Sequence, residues 1–305
     1  MRAARPLAGR AGIVTGGGKG LGRAFALDLA AAGAAVVVNN RNRQVDSDGR
    51  GPADHVVAEI LAAGGDAVAE YSDVVEPGAA DAILAAALDR YGRVDFLVTN
   101  AAVAAPEMAH KTTPERFDRV TATNIGGSTH LANACSARMR LANFGRIVLV
   151  ASTAGLHGEP TASAYSASKG AIIAYGRAIA VEGERRNVLT NVVLPFATTQ
   201  MTETGMHAHL REVMTAESVA PVVTALVDPG CTLNGQVLVS GGGLLRAASA
   251  VEYDTVALPT DGLSPDELAA LIARSRLGTP RDFPDAETAF LDLAASLDRT
   301  GSKVQ

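Results

Sequence analysis

A chain of 305 residues, 48% of them hydrophobic and with a net charge of −5, is long and apolar enough to bury a large core and is not disordered. Acids and bases are interspersed, with no basic stripe for nucleic acid, and the longest apolar tract (24–38) is broken by Asp28 and Gly33 and is too short to span a bilayer. Two cysteines, Cys135 and Cys231, lack a second Cys or His at ligand spacing, so they read as buried thiols in a reducing compartment and not as a metal site.

In chain order, residues 1–10 carry three arginines but no apolar stretch before a cleavage site, so a secretory signal is not expected. Residues 12–15 read as a strand that runs into Thr15-Gly16-Gly17-Gly18-Lys19-Gly20-Leu21-Gly22 and a helix over 21–32. Glycines let backbone N–H groups approach a pyrophosphate, and the helix N-terminus adds partial positive charge. A strand at 35–38 ends in Asn39-Asn40-Arg41 and a polar loop over 40–52, which either is a solvated excursion or borders an adenosine. Helices at 53–63, 79–91, 114–141 and 162–186 alternate with strands at 67–71, 94–98, 146–150 and 189–194; a last strand, 236–240, leads into Gly241-Gly242-Gly243. Continuous apolar strands indicate a sheet covered on both faces, and regular alternation makes it parallel and doubly wound. The expected architecture is therefore an α/β, Rossmann-type domain over 1–245 with a C-terminal helical extension over 246–305. In that extension Ser264-Pro265-Asp266-Glu267 has the form of a capping box with Pro at N1, and an amphipathic helix follows over 285–297. Two such helices are too short for a domain of their own and are expected to pack on the sheet domain or on a second subunit.

Tyr165 and Lys169 lie four apart on the helix over 162–186, hence on one face, about 5–6 Å apart at Cβ. An ammonium at that distance favours ionisation of a phenol whose ordinary pKa is about 10, and Ser152, at the end of the strand 146–150, adds a hydroxyl. Any amphipathic helix can carry this spacing, so the pair alone does not specify chemistry.

Taken together, Gly16, Gly20 and Gly22 at G-x-x-x-G-x-G spacing, Asp73-Val74, Asn100-Ala101-Ala102, Asn124, Ser152, Tyr165, Lys169 and the segment Asn191 to Pro195 resemble the short-chain dehydrogenase/reductase family over residues 11–243. The resemblance implies a catalytic set of Asn124, Ser152, Tyr165 and Lys169. The tyrosine is then the general acid/base, the serine steadies the substrate oxygen, the lysine holds the nicotinamide ribose and lowers the tyrosine pKa, and the asparagine keeps a water linking the lysine to solvent. It also implies a cofactor site of Gly16, Gly18, Lys19, Gly20, Leu21, Gly22, Asn40, Arg41, Asp73, Val74, Asn100, Ala101, Ala102, Tyr165, Lys169, Pro195, Phe196 and Thr198. Ala102 and Phe196 stand where the family has glycine, the latter placing an aromatic where nicotinamide and substrate meet.

A carboxylate at the end of the second strand would select NAD over NADP. Here Asn39-Asn40-Arg41 repels nothing, and Arg41 suits a phosphate as well as it suits a solvated loop, so either NAD(H) or NADP(H) remains open. Within the family, Val36 to Asn40 with its long loop, Tyr91-Gly92-Arg93-Val94-Asp95, Gly145 to Val148, Met201-Thr202 and the extended tail are similar to the multifunctional-enzyme-type-2 group of 17β-hydroxysteroid and (3R)-hydroxyacyl-CoA dehydrogenases. That points to an oxidoreductase on a secondary alcohol or ketone, with hydroxyacyl-CoA or hydroxysteroid as favoured substrate; a broad small-ketone reductase and a non-catalytic NAD(P)-binding regulator are the alternatives. The segments 103–110, 154–160 and 196–209 are expected to line the substrate end, with His110, His157 and His207 as loop residues and not catalysts. A small-molecule substrate, a homodimer or homotetramer, and a cytoplasmic location without nucleic-acid or membrane partners complete the expectation.

Overall fold

The computed structural model describes residues 5–41, 45–200, 207–259 and 262–300. Runs of Val, Ile and Leu form β1 (Ala11–Thr15), β2 (Ala35–Asn39), β3 (Asp66–Glu70), β4 (Phe96–Thr99), β5 (Gly145–Val150), β6 (Val188–Pro195) and β7 (Val237–Gly241). These seven pair in parallel in the order β3-β2-β1-β4-β5-β6-β7, with Ile13 opposite both Val37 and Leu97, and Leu149 opposite Val192. An eighth edge strand, β8 (Leu244–Ala248), was not foreseen. It follows a two-residue turn in which Gly242 and Gly243 both take positive φ (58° and 75°), the geometry that folds a strand back as a hairpin.

Helices α1 (Gly20–Ala31), α2 (Pro52–Ala62) and α8 (Ala220–Val227) cover one face. The other face carries α3 (Ala79–Tyr91), α5 (Gly127–Ala142) and α7 (Ser163–Gly183). Between sheet and helices lie fully buried Ile13, Phe25, Leu29, Val36, Phe96, Leu131 and Ile147. The helix expected over 114–141 is interrupted: α4 (Pro114–Thr121) passes through a π-helical turn, Ala122–Gly126, before α5. A short α6 (Ala154–His157) follows β5. Strand order reverses about β1, so the crevice beyond the C-terminal ends of β1 and β4 is the place where such a sheet takes a ligand.

The chain divides into two compact units, the first ending at Ala247 and the second beginning at Ala248. Within the second, α9 (Pro265–Ser275) starts in the capping box expected from sequence: Ser264 Oγ accepts from Glu267 N while the Glu267 carboxylate accepts from Ser264 N. Arg281 pairs with Asp292 of α10 (Ala286–Thr300) at 2.8 Å, and its backbone bridges antiparallel to Glu252. Among the described residues both cysteines are free thiols, no group of side chains is placed to hold a metal ion, and no helix is long and apolar enough to cross a membrane.

Candidate active site

One cavity of about 810 Å³ opens at the crevice, lined from the glycine turn through the ends of β2, β4, β5 and β6 to α7. The turn after β1 is built for close approach. Gly16 and Gly20 have φ of 60° and 51°, and a Cβ on Gly16 would sit 2.9 Å from Ala101 Cα. A Cβ on Gly22 would collide with the Gly16 carbonyl oxygen. Asn100 fixes the turn from β4: its amide donates to the carbonyls of Thr15 (3.2 Å) and Gly16 (3.1 Å), and its own N–H goes to Thr15 Oγ1. Asn100 therefore shapes the cradle, and the α1 N-terminus at Gly20 and Leu21 faces the cavity.

At the other end, β5 delivers Ser152 and α7 delivers Tyr165 and Lys169. Ser152 Oγ accepts from Ala154 N at 3.2 Å and hydrogen-bonds the Tyr165 hydroxyl. Burial pushes the Tyr165 phenol above its ordinary value, and the Ser152 bond pulls it partly back. Lys169 is 3% exposed; its Nζ donates to the Val150 carbonyl at 2.8 Å and lies 5.7 Å from the Tyr165 ring centroid. Desolvation brings its ammonium down to about 8. Sequence led us to expect the lysine to lower the phenol pKa; burial governs the phenol instead, because Nζ reaches the β5 carbonyl and not the hydroxyl.

Asn124 sits in the π turn, fully buried. Its Oδ1 accepts from Val103 N (2.8 Å), and its Nδ2 donates to Val103 O (3.0 Å) and to Ser168 Oγ (2.9 Å). Ser168 Oγ in turn donates to Tyr165 O at 2.7 Å. The asparagine thus ties the β4 loop to the first turn of α7, on which Tyr165 stands.

The end of the cavity away from Tyr165 is bounded by Asn40, Arg41, Asp73 and Val74, and also by Pro52, which sequence reasoning missed because it belongs to the next helix. Arg41 Nη1 pairs with Asp73 Oδ2 at 3.1 Å, and Asn39 Nδ2 donates to Glu70 (2.6 Å) and to Ser72 O (3.0 Å). Ala101, Ala102, Pro195 and Phe196 line the cavity, with Phe196 45% exposed. Thr198 does not: its N–H and hydroxyl go to the carbonyls of Met214 and Arg211, and Thr199 faces the site in its place. Gly18 and Gly22 pack beneath the turn and not on its surface. Among the expected substrate-end segments, Val103, Ala104, Ala154, Glu159, Ala197 and Gln200 line the wall; His110, His157 and His207 are exposed away from it. Met201-Thr202, the rest of 201–206, and 42–44 of the polar loop lie outside the described residues.

A sequence profile described as short chain dehydrogenase matches residues 10–213. A short-chain type dehydrogenase/reductase of Mycobacterium tuberculosis is 39% identical over 236 residues, 77% of this chain and 82% of that protein. Peroxisomal multifunctional enzyme type 2 of Drosophila melanogaster is 38% identical over 237 residues, which is 77% of this chain but only 39% of that longer protein. Among solved structures, a short chain dehydrogenase from Mycobacterium avium superposes with a TM-score of 0.78 at 32% identity, covering 91% of this chain and 98% of that one.

Proposed function

Since the chain belongs to the short-chain dehydrogenase family and is an oxidoreductase acting on CH–OH groups, we propose that it interconverts a secondary alcohol and a ketone with NAD(H) or NADP(H), acting on hydroxyacyl-CoA thioesters or hydroxysteroids. The observation that carries this reading is the Tyr165 hydroxyl, hydrogen-bonded to Ser152 on the wall of the same cavity that the glycine turn opens. The residues fit a dinucleotide: the turn at Gly16 leaves no room for a Cβ against Ala101, Gly20 holds a positive φ, and the α1 N-terminus meets the phosphates' charge. Gly20, Leu21, Ala101, Val74 and Lys169 would hold the cofactor along the cavity.

Bound cofactor supplies hydride chemistry that side chains lack. The protein's part is the proton. In reduction Tyr165 Oη donates its proton to the carbonyl oxygen while Ser152 Oγ holds that oxygen in place; in oxidation ionised Tyr165 takes the hydroxyl proton back. Lys169, buried beside the tyrosine with its Nζ on the Val150 carbonyl, orients the ribose side of the site.

The substrate class is supported by the wall formed by Val103, Ala104, Ala154, Ala162, Phe196 and Ala197, which suits an acyl chain or a steroid ring. It is also in keeping with the likeness to the multifunctional enzyme. The test is a binding titration with NADH and NADPH followed by turnover on a panel of CoA thioesters, steroids and small ketones. Turnover of a thioester or steroid is expected. Activity confined to small ketones would overturn the substrate class, and tight cofactor binding without any turnover would overturn the enzyme reading.

A further inference from the structure

Between α6 and α7, Thr161 takes a φ of 62°, in the left-handed region that a β-branched residue rarely adopts. Such strain persists only where the surroundings hold it. Here Glu107 N donates to Thr161 O at 2.7 Å, Ala162 N donates to Glu159 O at 3.1 Å, and Glu107 bridges Ala162 in parallel. Glu159 N donates to Ser166 Oγ at 3.1 Å, and Ser166 follows Tyr165 on α7. The turn is thereby tethered to the helix that carries the tyrosine, and Glu159 and Ala162, on either side of the strained residue, both line the cavity.

Among the described residues two carboxylates line this cavity, and they differ in what they face. Asp73 is buried and paired with Arg41 at 3.1 Å. Glu159 is exposed, and its carboxylate has neither a hydrogen bond nor an ion pair among the described residues. The lysine on its own side of the site, Lys169, is taken up by the Val150 carbonyl. Ala154, Ala162, Phe196 and Ala197 make the surrounding wall apolar, with the exposed amide of Gln200 as a further polar group. A negative charge thus stands uncompensated at the edge of an apolar surface, the arrangement by which a few polar groups orient a ligand.

We infer that Glu159 sets substrate specificity: it accepts a hydrogen bond from an uncharged donor remote from the reacting carbonyl, and it turns away substrates that carry an anion there. A steroid hydroxyl and the amide N–H of a thioester arm are donors of this kind. The inference rests on the reading that Tyr165 handles the carbonyl oxygen of a steroid or an acyl thioester. An uncharged donor gains a charge-assisted bond, an anionic group meets like charge, and a purely apolar group gains nothing from the carboxylate. Attraction to one class and repulsion of another then act together.

The test compares kcat/KM for reduction within two matched series, with NADH and with NADPH. One series is ketosteroids that bear a hydroxyl, no substituent or a sulfate ester on the ring remote from the ketone. The other is 3-oxoacyl thioesters of N-acetylcysteamine and of butanethiol, of which only the first has an amide N–H. In at least one series the donor-bearing compound should be preferred by about tenfold, as one bond to a charged group supplies, and the series that shows it identifies the donor. The sulfate ester should be the poorest steroid. In Glu159→Gln the penalty on the sulfate should shrink by about tenfold, and in Glu159→Lys the sulfate should become the best steroid. These changes should fall on KM more than on kcat, because the bond lies away from the reacting atoms. A merely structural role would move every substrate alike and leave the ratios where they are. Ratios unaltered in both variants would overturn the role of Glu159 while leaving the oxidoreductase reading in place. No turnover of any of these compounds with either nicotinamide would overturn the proposed substrate classes, and this role with them.

Discussion

Lys169 holds its ammonium against the Val150 carbonyl in a setting that brings its pKa from 10.5 to about 8. The folded value lies below the unfolded one, so the folded state releases this proton first. The burial cost is therefore fully present below about pH 8 and is lifted as pH rises toward 10.5. Lys169→Met removes the charge and with it the pH dependence. Denaturant melts of both proteins should show wild type gaining on the variant across that window, by an amount on the order of 3 kcal/mol. A gap that stays flat with pH would contradict a buried charged lysine. Residue identity at this site was legible because Ser152, Tyr165 and Lys169 follow the glycine turn and Asn124 in the order of the family that the sequence resembles. The bond from Lys169 to Val150 was not, nor was the Arg41–Asp73 pair, since each joins residues that only the strand order brings together.

Strands β1, β5 and β6 were legible as short runs of β-branched and aliphatic residues, because a strand buried on both faces has no polar alternation to hide it. The edge was not: Leu244-Leu245-Arg246-Ala247-Ala248 lacks β-branched residues and is a strand only because the Gly242-Gly243 turn folds it back. The α4–α5 pattern read as one helix since a π turn adds a single residue without breaking the apolar face; Asn124, in that turn, marks the place. Helix α6 packs backbone to backbone on α7, and a Cβ on Gly155 would lie 2.6 Å from Gly170 N and from Lys169 C. Gly155→Ala must push the α7 backbone at the lysine, so it should destabilise the fold by about 1–3 kcal/mol and lower kcat as well. Denaturant melts and steady-state rates check this, and a variant with wild-type stability and turnover would show that the contact relaxes freely.

Across the whole molecule, the sheet supplies a rigid frame whose strand ends carry the turn, Ser152 and the wall at Asn39–Arg41 to one crevice. Outside it, Phe117 on α4, Leu141 on α5 and Val181 on α7 are 40%, 75% and 48% exposed. These apolar surfaces support the proposal that the α4–α5 and α7 helices form a homodimer or homotetramer face. Sedimentation at micromolar concentration should give a dimer or larger, and a monomer would contradict it. The central claim is that this frame presents Tyr165 as the group that moves the substrate's proton. Tyr165→Phe keeps the ring and removes only the hydroxyl, so its cofactor affinity and turnover should be measured side by side. The account predicts NAD(P)H binding retained and turnover lower by a factor of about 10² to 10⁴; turnover at the wild-type rate with intact binding would contradict it.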